Sequence, residues 1–187
     1  MSNYYLHLKK DTDKALELGM EAMRLDPLYF VIYANTAALK NAQHKPKEAL
    51  DYAEKGLEIN KTSMLLIGWK ARCLFALNRK AEALETVEKG LELTNRHQNL
   101  TSQLCMLLMK SGEKEKAVAL YAELKNRSAH EYIAPYNLGR AAFALGYEAE
   151  AREMVMKAYR EKNPTLLTRA NTDPDFSAFI DKLNLPK

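Results

Sequence analysis

Cysteine, glycine and proline are all scarce in this chain, and each scarcity excludes a class of protein. Only two cysteines occur in 187 residues. Cys73 and Cys105 both lie in apolar stretches without a nearby partner, so free buried thiols in a reducing compartment are expected rather than a disulfide scaffold or a metal centre. Seven glycines and six prolines are too few for a turn-rich sheet protein and leave room for long helices. The longest apolar runs, Met64–Trp69 and Tyr29–Ala34, fall far short of the ~20 residues a membrane-spanning helix needs. No apolar signal core stands at the N-terminus, and a cytoplasmic location is the default expectation. The Asn-x-Ser/Thr triplets at Asn60, Asn99 and Asn126 then read as chance.

Charge of one sign is lacking as well. The 28 basic and 24 acidic residues leave a net charge of only +4. Bases alternate with acids, as in Lys45–Lys55 and Glu113–Lys116, which is the pattern of a solvated helix face. A nucleic-acid footprint would gather Lys and Arg on one side, so nucleic-acid binding is not expected.

Catalytic signatures are missing too. There is no nucleophile elbow, His-Glu-x-x-His, Cys-x-x-Cys or phosphate loop, and Ser111-Gly112-Glu113-Lys114 reads as a turn and a helix start. His7, His44, His97 and His130 are scattered, with His44 in a turn and the others at the surface. Carboxylates stand beside Lys and Arg at helical spacing, where simple pairing explains them. The chain is read as a non-enzyme without cofactor or metal.

What the sequence does have is a period. Ala15, Ala49, Ala83, Ala117 and Ala151 recur every 34 residues without an insertion. Gly19, Ala53, Val87, Tyr121 and Val155 follow in phase, as do Ala22, Gly56, Gly90, Leu124 and Ala158. Each period contains two helices. The second is typified by Pro46 to Asn60, with apolar or small residues at three- and four-residue spacing. The first is clearest at Met64–Leu77 and Tyr136–Leu145. Between them His44, Asn78, Gly112 and Gly146 occupy one slot, which suits a left-handed helix end. Pro27 and Pro164 stop second helices. Beyond the last period, Phe176, Phe179, Ile180 and Leu183 form the apolar stripe of one further helix, capped by Asp173 or Asp175.

These features resemble the tetratricopeptide repeat. The best match runs through Asn137-Leu138-Gly139, Gly146, Ala151, Ala158 and Asn163-Pro164, and the small partner of the Leu-Gly pair recurs as Ala37, Ala71, Cys105 and Gly139. Lys40 departs from the pattern, in a slot where the family prefers an apolar residue, so looser packing of the second repeat is expected. The resemblance implies an all-α, right-handed α-solenoid of about five tetratricopeptide-type helical hairpins with a C-terminal capping helix. As one repeat domain over 1–187, its hairpins would span about 1–27, 28–61, 62–95, 96–129 and 130–163, and its cap 164–187. Met1 then falls inside a shortened first helix. The stretch from His130 to Pro186, with its Asp173-Pro174-Asp175-Phe176 segment, is also similar to C-terminal arrays of multidomain bacterial regulators such as nucleotide cyclases, winged-helix regulators and protein kinases.

In this family the first helices line a concave groove. One row of slots holds Asn35, Trp69, Gln103 and Asn137; a second holds Ala38, Arg72, Met106 and Arg140; a third holds Asn41, Phe75, Met109 and Phe143; Tyr136 sits beside them. Trp, Tyr, Met and Arg are the residue types enriched at interface anchors. For Phe75, Met109 and Phe143, filling the space between hairpins is an equally good reading. Trp69, Arg72, Asn137 and Arg140 are expected to face water, because their slots are polar in other repeats. Some family members clamp a partner's C-terminal carboxylate with Lys, Asn and Arg, but the matching slots here (Ala34, Ala38, Trp69, Asn99 and Gln103, or Gly68, Arg72, Gln103, Ile133 and Asn137) form no clamp. The functional expectation is a protein- or peptide-binding module for a partner with apolar anchors and some acidic character. The alternative is a structural module that self-associates through its N-terminal edge.

Overall fold

The structure, a computed structural model, describes residues 12–163, 166, 174–183 and 185. Every regular element among the described residues is a helix. The chain forms two compact units, residues 1–95 and 96–187.

The first unit contains α1 (Thr12–Leu25), α2 (Phe30–Ala42), α3 (Pro46–Ile59), α4 (Met64–Ala76) and α5 (Lys80–Leu93). Successive helices pack as antiparallel neighbours, and α2 also meets α4. The second unit contains α6 (Gln98–Ser111), α7 (Lys114–Arg127), α8 (Pro135–Ala144), α9 (Glu148–Arg160) and α10 (Pro174–Asp181). There α6 pairs with α7, α8 with α9, and α6 with α8.

The 34-residue period appears directly in the packing. Ala15, Ala49, Ala83, Ala117 and Ala151 lie at equivalent points of α1, α3, α5, α7 and α9, and each is 0% exposed. Any larger side chain there would force the two helices of a hairpin apart. Gly56 makes the same demand two turns on: a Cβ there would stand 2.7 Å from the Leu66 side chain and 2.9 Å from Tyr33 Cβ. Glycine is what allows α3 to approach both α2 and α4.

The turns inside the hairpins follow the expected chemistry. His44, Asn78, Gly112 and Gly146 have φ of 58°, 62°, 85° and 79°. Each first helix therefore ends on a left-handed residue, and the next begins almost at once. Pro46 and Pro135 occupy the first turns of α3 and α8, where a missing N–H costs nothing. Lys40, the off-pattern residue, is half-buried, and its ammonium reaches Glu48 at 2.6 Å in the first turn of α3. That contact holds the Glu48 carboxyl below the usual carboxylate range. The polar slot is thus satisfied across the hairpin.

One connection breaks the pattern. Between α7 and α8 the chain runs from Ser128 to Ala134, longer than the corresponding Asn60–Ser63 and Thr94–His97. Pro135 forces the residue before it toward extended backbone, and Ala134 has φ −56° and ψ 126°. The side chain of Gln98 replaces the lost helical turn: its Oε1 accepts from Ala134 N at 2.6 Å and Asn137 Nδ2 at 3.0 Å. His97, expected only as a surface residue, caps α6 by accepting from Asn99 N at 3.2 Å.

The last helix covers the second unit. Phe176 and Ile180 are buried with Tyr136, Val155, Ala158 and Leu166, while Phe143, Tyr159 and Phe179 pack around them. The shortened first helix before residue 12, the stop at Pro164 and the capping side chains of Asp173 and Asp175 lie outside the described residues.

Candidate peptide-binding face

In the first unit the candidate residues lie on α2 and α4. Asn35 and Trp69 hold equivalent positions on these neighbouring helices, and both are half-buried. Arg72, one turn after Trp69, stacks on the indole with its guanidinium carbon 4.9 Å from the ring centroid. Three-residue spacing on a helix brings the two side chains together, and the ring face attracts the cation. Phe75, a further turn along, packs against the core of Cys73, Leu74 and Ala83, with Lys80 Nζ 5.8 Å over its ring. Ala34, Ala38 and Gly68 are buried beside this row. The face thus combines an aromatic stripe, a stacked guanidinium and an amide.

In the second unit the equivalent slots are filled differently. Gln103 and Met106 are buried on α6. Asn137 and Arg140, expected to face water, are 3% and 0% exposed, and Tyr136 beside them is 0% exposed. The expectation fails because Asn137 and Arg140 are held by groups on α6 rather than by solvent. Arg140 Nη2 donates to Asn99 O at 2.6 Å and to Ser102 Oγ, and its guanidinium carbon lies 5.7 Å from the Tyr136 ring centroid. Ser102 Oγ donates to Asn99 O at 3.0 Å. Asn137 donates to Gln98 as described above. Tyr136 and Phe143 are claimed by the last helix, each 5.4 Å from the Phe176 ring, with Phe143 a further 4.9 Å from Phe179. Polarity repeated at one slot signalled water in the first unit and a buried network in the second. Gln98 escaped sequence reading, since its role depends on the Pro135 irregularity.

Both thiols are fully buried. Burial pushes Cys73 and Cys105 up to about 12, so neither is a nucleophile at neutral pH. Among the described residues no group of three or more His, Cys, Asp or Glu is arranged to hold a metal ion. No helix among them is long and apolar enough to cross a membrane.

The helical hairpins have the tetratricopeptide repeat fold. Residues 40–101 match the tetratricopeptide repeat family in sequence. Solved structures share the fold at low identity. MamA is 18% identical with a TM-score of 0.55, over 84% of this chain and 92% of that one. YrrB, described as a tetratricopeptide protein with an unusual peptide-binding site, is 21% identical with a TM-score of 0.53, over 98% and 89%. A tetratricopeptide repeat protein from Parabacteroides merdae is 19% identical with a TM-score of 0.57, over 97% and 75%. No curated protein matches the chain in sequence.

Proposed function

We infer that the chain binds a segment of another protein on the first-helix face of its first unit. The observation that carries this reading is the Trp69–Arg72 stack, half-buried at 4.9 Å on α4. An aromatic surface holding a guanidinium suits an apolar anchor beside a carboxylate, and the Asn35 amide can meet a peptide backbone. Asn35, Trp69, Arg72 and Phe75 are the proposed contacts. Gln103, Met106, Asn137 and Arg140 serve as the rigid frame of the second unit, and Tyr136 and Phe143 as the seat of its last helix. The peptide-binding site described for the similar YrrB structure supports a peptide ligand.

The test is capture of partners from the source cell by the intact chain, beside Arg72→Glu and a Lys55→Glu control. One partner should be retained by wild type and the control and lost with Arg72→Glu. Equal recovery by all three proteins would contradict the proposed face.

A further inference from the structure

The first unit carries a second recess, away from the residues just described. α3 and α5 both pack on α4 and leave between them a cleft of about 350 Å³. Its floor is apolar: Ile67 and Leu74 of α4 lie there nearly fully buried, and Gly90 of α5 contributes no side chain. This volume falls within the range of about 300–1,000 Å³ typical of ligand sites.

The charges on its walls are unevenly compensated. Lys70 pairs with Glu54 at 2.9 Å, Arg79 with Glu82 at 2.6 Å, and Lys89 with Glu85 at 2.6 Å. Among the described residues Lys61 makes no ion pair. The lining therefore carries four cations against three carboxylates, 4 − 3 = +1. The uncompensated charge also has a fixed base. Asn60 Oδ1 accepts from Thr62 N at 3.1 Å and from Thr62 Oγ1 at 3.2 Å, which holds the turn on which Lys61 stands.

Apolar surface gathers at this same end. Leu57 lines the cleft half-buried, and Leu93 is 59% exposed at its mouth. Glu82 to Leu93 spans about 16 Å of α5 at ~1.5 Å per residue, enough for about five residues of extended peptide. We propose that this cleft is a second peptide-binding site, taking a short partner segment whose aliphatic side chains lie on the Ile67–Leu74 floor and whose following carboxylate meets Lys61.

The experiment uses the full chain, labelled for amide NMR and titrated with the peptide Ala-Leu-Leu-Glu-Glu-Ala. Ala-Leu-Leu-Lys-Lys-Ala is the charge control. The acidic peptide should shift the amides of Leu57, Lys61, Ile67 and Thr86, and the basic one should not. Lys61→Glu should weaken binding about five- to tenfold, as expected for reversing one exposed contact. Thr86→Trp should fill the cleft and abolish the shifts, with an unchanged far-ultraviolet spectrum confirming the fold. The proposal is overturned if those amides do not move, if both peptides bind alike, or if Thr86→Trp binds as well as wild type. Shifts confined to Trp69 and Arg72 would also overturn it while supporting the face on α2 and α4.

Discussion

Phe176 of the last helix lies edge-on to Tyr136 of α8, ring centroids 5.4 Å apart at 66°, with both side chains fully buried. This contact ties the segment after the last repeat into the core of the second unit. Phe176→Ala should therefore cost about 3–5 kcal/mol of stability, the usual range for emptying a buried aromatic site. Urea unfolding measures it. A loss below about 1 kcal/mol would mean that the helix merely rests on the surface.

Arg140 and Arg72 occupy equivalent slots but should behave oppositely. Arg140→Ala removes a buried guanidinium that donates to Asn99 O and Ser102 Oγ, so at least about 2 kcal/mol of stability should be lost. Arg72→Ala removes a half-buried side chain whose guanidinium lies over the Trp69 ring and should cost only about 0.5–1 kcal/mol. Thermal melts of the two variants side by side decide the matter, and equal losses would contradict the distinction.

The helix-ending turns offer a test without steric complication. A Cβ at Gly112 or Gly146 would meet nothing within 4 Å, yet φ is 85° and 79°. Alanine at either position should cost about 1–2 kcal/mol through backbone strain alone. Asn78→Gly, at φ 62°, should be nearly neutral. Should alanine be tolerated freely at Gly112, the turn is not held left-handed in solution.

The thiols make a prediction about pH. Both are ordinary in the unfolded chain, near 9, and are pushed up to about 12 when folded. The unfolded chain then loses these protons first as pH rises. Their contribution is fully present below pH 9 and falls between pH 9 and 12, by up to about 1.4 kcal/mol per pH unit for each thiol. A Cys73→Ala, Cys105→Ala double variant should show a correspondingly flatter stability profile over that window. Parallel profiles would contradict the burial, as would rapid labelling of both thiols by iodoacetamide in the native protein.

Most of the fold was legible in the sequence because its determinants are local and periodic. The buried alanines, the small residues after them and the left-handed slot each recur at 34-residue spacing, and each is set by sterics within one hairpin. The candidate face was legible only in part. Trp69 and Arg72 are half-buried, whereas Asn137 and Arg140 are buried. A polar side chain is compatible with water or with a buried partner, and the choice for Arg140 depends on Asn99 and Ser102 one helix away. The burial of Tyr136 likewise depends on Phe176, which belongs to no repeat. The outer cleft was not legible, since it arises from the spacing of α3 and α5 over α4.

The most direct test of the proposed face is calorimetric titration of a captured partner's binding segment into wild type, Trp69→Ala, Arg72→Glu and Lys55→Glu. Trp69 is the chain's single tryptophan, so its emission reports occupancy in the samples that retain it. Trp69→Ala and Arg72→Glu should each weaken binding by at least about 2 kcal/mol, some thirtyfold, with the fold intact. Added salt should weaken wild-type binding only moderately, as for a few exposed charges. The emission of Trp69 should shift on binding, and Lys55→Glu should bind like wild type. If Lys55→Glu weakens binding as much as the other two variants, or Trp69 emission stays unchanged at saturation, the partner does not lie on this face.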